Sequence, residues 1–310
     1  MILFDLGLAV LVLGVAAWTI AAREMFSAVV GYVAYGLLLA IVWVRLYAPD
    51  VALTEAAIGS GVTGVLLVVA SKRLSLLPQA DAPPGRGLKR AAAALSVLVA
   101  GVLAAAVLTL PDPAPSLAPE ADRELAATGL GNAVTAVLIA YRSFDTMLEK
   151  VVLVLAVVGV WSVAPDRFWG GRPAPLGPPR PDAALVFLAR VLAPIGIVIG
   201  VQMFWVGADE PGGALQGGAI LAAMAMIVMM ARLTEPPRID SGRLRLALIA
   251  GPAVFLVVGL AGPLMAGSFF AYPAGFAKPL ILFIEGFMVL SIAVTLPLLV
   301  AGPPSRKGEE

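Results

Sequence analysis

Three short stretches of the chain set carboxylates inside or at the edge of apolar sequence: Leu53-Thr54-Glu55-Ala56, Phe144-Asp145-Thr146-Met147-Leu148-Glu149-Lys150, and Asp209-Glu210-Pro211-Gly212-Gly213 running on to Gln216-Gly217-Gly218. A carboxylate near a bilayer centre costs roughly 2.5–3.5 kcal/mol on insertion scales, so a chain that retains several usually uses them to pass protons or ions. Each acid also has a plainer reading. Asp5 is near a terminus and can reach water. Asp50, after Pro49 and before an apolar run, reads as a helix N-cap for orphan backbone N–H groups. Glu55 lies one turn further on, in a helix continuing through Gly59-Ser60-Gly61 and Gly64, small residues suited to close packing or a local π-type bulge. A cap does not require it.

In the second stretch Asp145 and Glu149 are four apart and share a helix face, Arg142 precedes Asp145 by three, and Lys150 follows Glu149 directly. A charge-satisfied helix entry would explain Asp145, since the positive end of the helix dipole favours acids there. Glu149 and Lys150 stand inside an otherwise continuous Val/Leu run, which suits proton exchange: a nearby ammonium favours the carboxylate's ionised form and burial opposes it. Adjacent side chains leave a helix about 100° apart, so the two heads need not pair directly. In the third stretch Gly212, Gly213, Gly217 and Gly218 around Pro211 read as a turn that permits positive φ and close approach of two helices.

Positioning these groups requires membrane helices. The 310 residues are 60% hydrophobic and 13% charged, with mean hydropathy +0.97, which predicts an all-α, polytopic transmembrane bundle. A net charge of +1 gives no case for nucleic-acid binding. With neither Cys nor His, thiolate metal sites, disulfides and imidazole proton carriers are excluded, so a relay must use carboxylates, Lys, Tyr or water. No cofactor is expected, and no catalytic site of the chain's own. The N-terminal stretch lacks a basic n-region and a small-residue cleavage site, and reads as a retained first span.

Nine spans are expected, near 2–21, 25–46, 51–71, 91–110, 145–164, 183–206, 217–232, 244–267 and 279–301, with a short amphipathic helix over 131–141 on the outer surface. Placing the N-terminus outside puts Arg23; Lys72, Arg73, Arg86, Lys89 and Arg90; Arg167, Arg172 and Arg180; Arg232, Arg238, Arg243 and Arg245; and Arg306 and Lys307 on the inner side, 15 of the 21 basic residues. Asp5, Glu55, Glu149 and Glu285 then fall within about 10 Å of the outer boundary at 1.5 Å per residue, with Asp50, Asp145, Asp209 and Glu210 at that boundary. The expected result is an acidic layer in the outer half.

The run Pro49-Asp50-Val51-Ala52-Leu53-Thr54-Glu55-Ala56-Ala57-Ile58-Gly59-Ser60-Gly61 resembles the C-terminal region of the MrpA subunit of Mrp-type Na⁺/H⁺ antiporters, called MbhD as a separate chain. Tyr141-Arg142-Ser143-Phe144-Asp145-Thr146 with Glu149 resembles the next segment of that subunit, MbhE. Glu210-Pro211-Gly212-Gly213 and Gln216-Gly217-Gly218 are similar to MrpB, also called MnhB or MbhF. Met147-Leu148 stands where the family has a Gly between the Thr and the Glu, Lys150 is added, and Asp209-Glu210 replaces the family's His.

The resemblance implies three segments: 1–110 MbhD-like, 111–182 MbhE-like with one span and the surface helix, and 183–310 MnhB-like with four helices. It implies a multi-pass subunit in a bacterial or archaeal cell membrane, passing Na⁺ and H⁺ in an antiporter complex with large antiporter-like and small membrane subunits. Glu55 and Glu149 carry over as the membrane acids implicated in translocation; Asp50, Asp145, Lys150 and Glu285 join them on the reading of the residues. The alternatives are the same module in a redox-driven complex such as a membrane-bound hydrogenase, with redox subunits as partners, and a non-conducting structural subunit. A structural subunit would have no use for Glu55 and Glu149 in the membrane, and a stand-alone transporter would more often show an inverted repeat.

Overall fold

The computed structural model describes residues 2–74 and 85–306; the rest of the expected Lys72–Arg90 connection, and Lys307, lie outside the described residues. The fold is all-α. Eleven helices follow one another: α1 (Ile2–Ala21), α2 (Met25–Arg45), α3 (Pro49–Thr54, continuing through a π-helical segment Glu55–Val62 into Thr63–Leu74), α4 (Arg86–Leu108), α5 (Ala118–Thr128), α6 (Ala133–Thr135 with a π-helical end Ala136–Tyr141), α7 (Ser143–Ser162), α8 (Ala183–Val206), α9 (Ala214–Met230), α10 (Gly242–Ala266) and α11 (Ala277–Ala301).

Among the described residues seven helices are long and apolar enough to cross a membrane: α1, α2, α3 over Pro49–Lys72, α4, α8, α10 and α11. The fifth and seventh expected spans are also helices. α7 carries Asp145, Glu149 and Lys150 within its 20 residues, and the apolar α9 has 17. Glycine and proline punctuate the ends in the way their backbones allow. Pro49 stands in the first turn of α3, where its missing N–H is no loss, and Gly129 ends α5 in the left-handed conformation at φ 70°.

α9 packs between α8 and α11, α10 lies on α11, and α7 lies against α10 and α11. The α8–α9 contact is close because a β-carbon on Gly217 would lie 2.6 Å from the Gly200 carbonyl oxygen. The core lies here, around Phe255, Ile281, Ile284 and Ile292. α1, α2 and α3 form a second layer that meets the first where α3 touches α9 and α11. α4 stands off the bundle, with no buried residue.

The bundle has two distinct ends. At one, the strands Arg172–Pro173 and Pro304–Arg306 pair antiparallel, and the Ile239 N–H donates to Gly171 O at 3.0 Å. At the other, the starts of α3, α6 and α9 gather around the turn 207–213. The segment 131–141 belongs to this end and corrects the expectation of a surface helix. It is helical, but Asn132, Thr135, Ala136 and Ile139 are buried, because the turn packs on them: Gly131 N and Asn132 N both donate to Ala208 O, at 2.9 and 3.1 Å, and Thr135 Oγ1 donates to Gly207 O at 2.6 Å.

Candidate functional site

The 207–213 turn is built on backbone that only glycine adopts readily. Gly212 and Gly213 sit at φ 152° and 124°, where a β-carbon strains the chain. That geometry turns the Gly212 N–H onto Asp50 Oδ1, 3.0 Å away, and the Gly213 N–H onto Met203 O at 2.9 Å. Asp50 is only 7% exposed. Asn132 Nδ2 also donates to Asp50 Oδ1, at 3.3 Å, and to Glu210 O at 2.9 Å, while Asn132 Oδ1 caps α6 by accepting from Val134 N at 2.8 Å.

These contacts overturn the N-cap reading of Asp50. Ala48 holds the cap position of α3, and no side chain caps that end. The Asp50 carboxylate is instead consumed in fastening α3 to the turn before α9, 162 residues on. Gln216 continues the seam, its Nε2 donating to Thr54 Oγ1 at 3.1 Å.

Between these elements, α7 and α11 lies a cavity of about 320 Å³ lined by Asp50, Thr54, Thr146, Glu149, Lys150, Gln216 and Glu285, with Leu138, Ile139 and Met288 among its apolar walls. Glu285 is 2% exposed. Its Oε1 accepts from the Ala214 N–H at 3.2 Å, at the start of α9, and its Oε2 has no hydrogen-bond partner. Lys150 is 3% exposed and donates to Glu149 Oε1 at 2.6 Å. The Glu149 and Lys150 heads therefore pair directly. Their Cβ vectors diverge, but both side chains are long enough to bend together, and a buried ammonium needs a counter-charge.

Tyr272, in the connection between α10 and α11, donates its hydroxyl to the carbonyl of Ile139, a residue of the cavity wall, at 3.0 Å. Burial pushes this phenol up to about 12, so it stays a protonated donor throughout the neutral range. The Ser143 hydroxyl shares the same carbonyl.

Residues 10–76 match the family model of MbhD, and residues 184–302 match the "Domain related to MnhB subunit of Na+/H+ antiporter". Among curated proteins, "Putative antiporter subunit mnhA2" of Staphylococcus epidermidis is 29% identical over 147 residues, covering 46% of this chain and 18% of its own length. Its namesake in Staphylococcus haemolyticus is 29% identical over 164 residues, covering 51% of the chain and 19% of its own length. The chain thus spans about a fifth of the length of these relatives. A chain of the Mrp complex from Dietzia sp. DQ12-45-1b superimposes with TM-score 0.77 at 25% identity, covering 98% of this chain and 35% of that one. The chain is an MrpA-like fusion of an MbhD-type and an MnhB-type part. A chain of the membrane-bound sulfane sulfur reductase (MBS), an archaeal respiratory membrane complex, also superimposes on the fusion, with TM-score 0.56 at 25% identity over 69% of it and 97% of that chain.

Within the fusion the structure brings together four of the expected site residues, Asp50, Glu149, Lys150 and Glu285, and sets two apart. Asp145 is exposed, outside the cavity lining, and paired with Arg142, whose Nε donates to it at 2.7 Å. Glu55 opens the π-helical segment and is turned toward α2: a β-carbon on Gly36 would come within 3.0 Å of Glu55 Oε1 and would run into Ser60 Oγ. The π-type segment itself falls where Gly59-Ser60-Gly61 predicted one. Asp5, left open to water by the sequence, is paired with Arg45 at 2.7 Å.

Sequence reasoning missed Asn132, Thr54 and Gln216 as members of this site. Asn132 carried a signal, since Gly131-Asn132 before an apolar turn reads as an N-cap. Nothing local points from it to Asp50.

Proposed function

We propose that the chain is a membrane subunit of a multisubunit monovalent cation (Na⁺)/proton antiporter and contributes the cavity between α3, α7, α9 and α11 to the ion or proton path. The observation that carries this reading is Glu285, a buried carboxylate with one unpartnered oxygen, facing the same cavity as a buried ammonium. A purely structural interface would replace such groups with apolar side chains at little cost. Na⁺ and H⁺ are the cargo.

In the proposed orientation all nine apolar or semi-apolar helices α1 to α4 and α7 to α11 span, the end bearing Arg172, Arg232, Arg238 and Arg245 faces the cytoplasm, and the cavity opens toward the outside. The partners are other Mrp-type membrane subunits in a bacterial or archaeal cell membrane. The likeness to a chain of the Mrp complex supports that need. The likeness to a chain of a respiratory complex favours a second setting, in which the same module is driven by redox subunits.

The test is Glu285→Gln in the complete complex, assayed for Na⁺-driven proton exchange in everted vesicles. The substitution is nearly isosteric and keeps an oxygen for the Ala214 N–H. Loss of most of the exchange from an assembled complex is expected; wild-type exchange would refute the reading.

A further inference from the structure

We propose that Lys150 is a tethered cation that moves between Glu149 on its own helix and Glu285 across the cavity, holding one carboxylate while the other takes a proton or a monovalent cation. This rests on the ion-path reading above and adds the element that would alternate within it.

The geometry gives two carboxylates one ammonium. An ammonium has three donors; the hydrogen bond shown for Lys150 goes to Glu149 Oε1 at 2.6 Å. Across the cavity Glu285 Oε2 is buried without a partner, and Lys150 and Glu285 line the same cavity. The remaining charged group lining the cavity, Asp50, is committed elsewhere, its Oδ1 held by Gly212 N and Asn132 Nδ2. Both positions are accessible to the lysine because its charge rides on a flexible four-carbon stem.

The two carboxylates are also unlike in a way that favours alternation. The Glu149 side chain is 50% exposed on the surface of this chain, so it is not enclosed when the ammonium leaves. Glu285 is enclosed, so its free oxygen gains most from a donor. With Lys150 on Glu149, Glu285 takes the proton or cation; with Lys150 on Glu285, that cargo is displaced and Glu149 is free to take one. No covalent bond beyond that of a transferred proton is made or broken.

A fixed charge that competes with the soluble cation should show as a split between affinity and rate. In everted vesicles carrying the complete complex and titrated with sodium chloride, Lys150→Met is expected to lower the half-saturating sodium concentration roughly tenfold, within the range of ordinary coupling between sites, and to lower the maximal exchange rate. Lys150→Arg keeps the charge but grips Glu149 as a planar fork, so it should keep the wild-type half-saturation and lose rate. An unchanged or raised half-saturation in assembled Lys150→Met overturns the proposal. So does a wild-type maximal rate in Lys150→Arg, which also decides the matter should Lys150→Met fail to assemble. If Glu285→Gln abolishes exchange while these lysine variants behave like wild type, the ion path stands and the moving lysine falls.

Discussion

Asp50 holds the MbhD-type and MnhB-type parts together, and its replacement should separate a structural cost from an electrostatic one. Its Oδ1 accepts from Gly212 N at 3.0 Å and from Asn132 Nδ2 at 3.3 Å. Asp50→Asn keeps an oxygen in that place. Hydrogen bonds to a charged acceptor contribute ~1.5–3 kcal/mol against ~0.5–1.5 kcal/mol for a neutral one, and the neutral amide is cheaper to bury, so the net loss should be about 1 kcal/mol. Asp50→Ala removes the acceptor. Asn132 still has Glu210 O and loses only its longer bond to Asp50, while the buried Gly212 N–H is stranded at ~1–3 kcal/mol, a penalty that already contains its lost bond, for a total of about 3 kcal/mol. Thermal melts of the purified assembly should therefore rank wild type, Asn, then Ala. A double-mutant cycle with Asn132→Ala should show the second substitution milder by roughly 0.5–1 kcal/mol once Asp50 is Ala, as contacting pairs do. Equal destabilisation by Asn and Ala, or strict additivity with Asn132→Ala, would refute the assignment of Asp50 as the fastening between the two parts.

Two further outcomes follow from the backbone and the sidedness. Gly213→Ala should destabilise by roughly 1–3 kcal/mol because φ 124° strains any β-carbon, whereas Gly101→Ala on α4, where a β-carbon meets nothing within 4 Å, should be neutral or slightly stabilising; like behaviour of the two in melts would contradict the strained turn. In this cysteine-free chain, Ser116→Cys and Ser241→Cys should react with a membrane-impermeant thiol reagent from opposite faces, Ser116→Cys from outside, and labelling of both from one face would rule out the nine-span orientation.

The helices themselves were legible because long apolar runs leave little alternative in a membrane, and all nine expected spans coincide with helices to within a few residues. The π-type segment was legible because Gly59-Ser60-Gly61 leaves room for a wide turn. The fastening of Asp50 was not, since its partner Gly212 is far off in sequence and the local rule for an acid after Pro49 is a cap. The burial of 131–141 was missed for the same reason: its buried face is short, and only the 207–213 turn makes it an interior face.

Depth along a helix and direction around it were unequally readable. The 1.5 Å rise puts Glu149 about 9 Å into α7, Glu285 about 12 Å into α11 and Glu55 about 9 Å into α3, so a common acidic layer follows from counting alone. Direction advances 100° per residue, and this decides membership of the cavity. Asp50 and Glu55 are five apart and hence about 140° apart on an ideal helix, so one can face the turn before α9 only if the other faces α2. Thr146 and Lys150, spaced i and i+4, share the face that lines the cavity, while Asp145 precedes Lys150 by five and is carried off that face. By spacing alone Asp145 and Glu149, four apart, share a helix face. The face buried against the cavity is that of Thr146 and Lys150, and Glu149 reaches it by bending to its neighbour's ammonium.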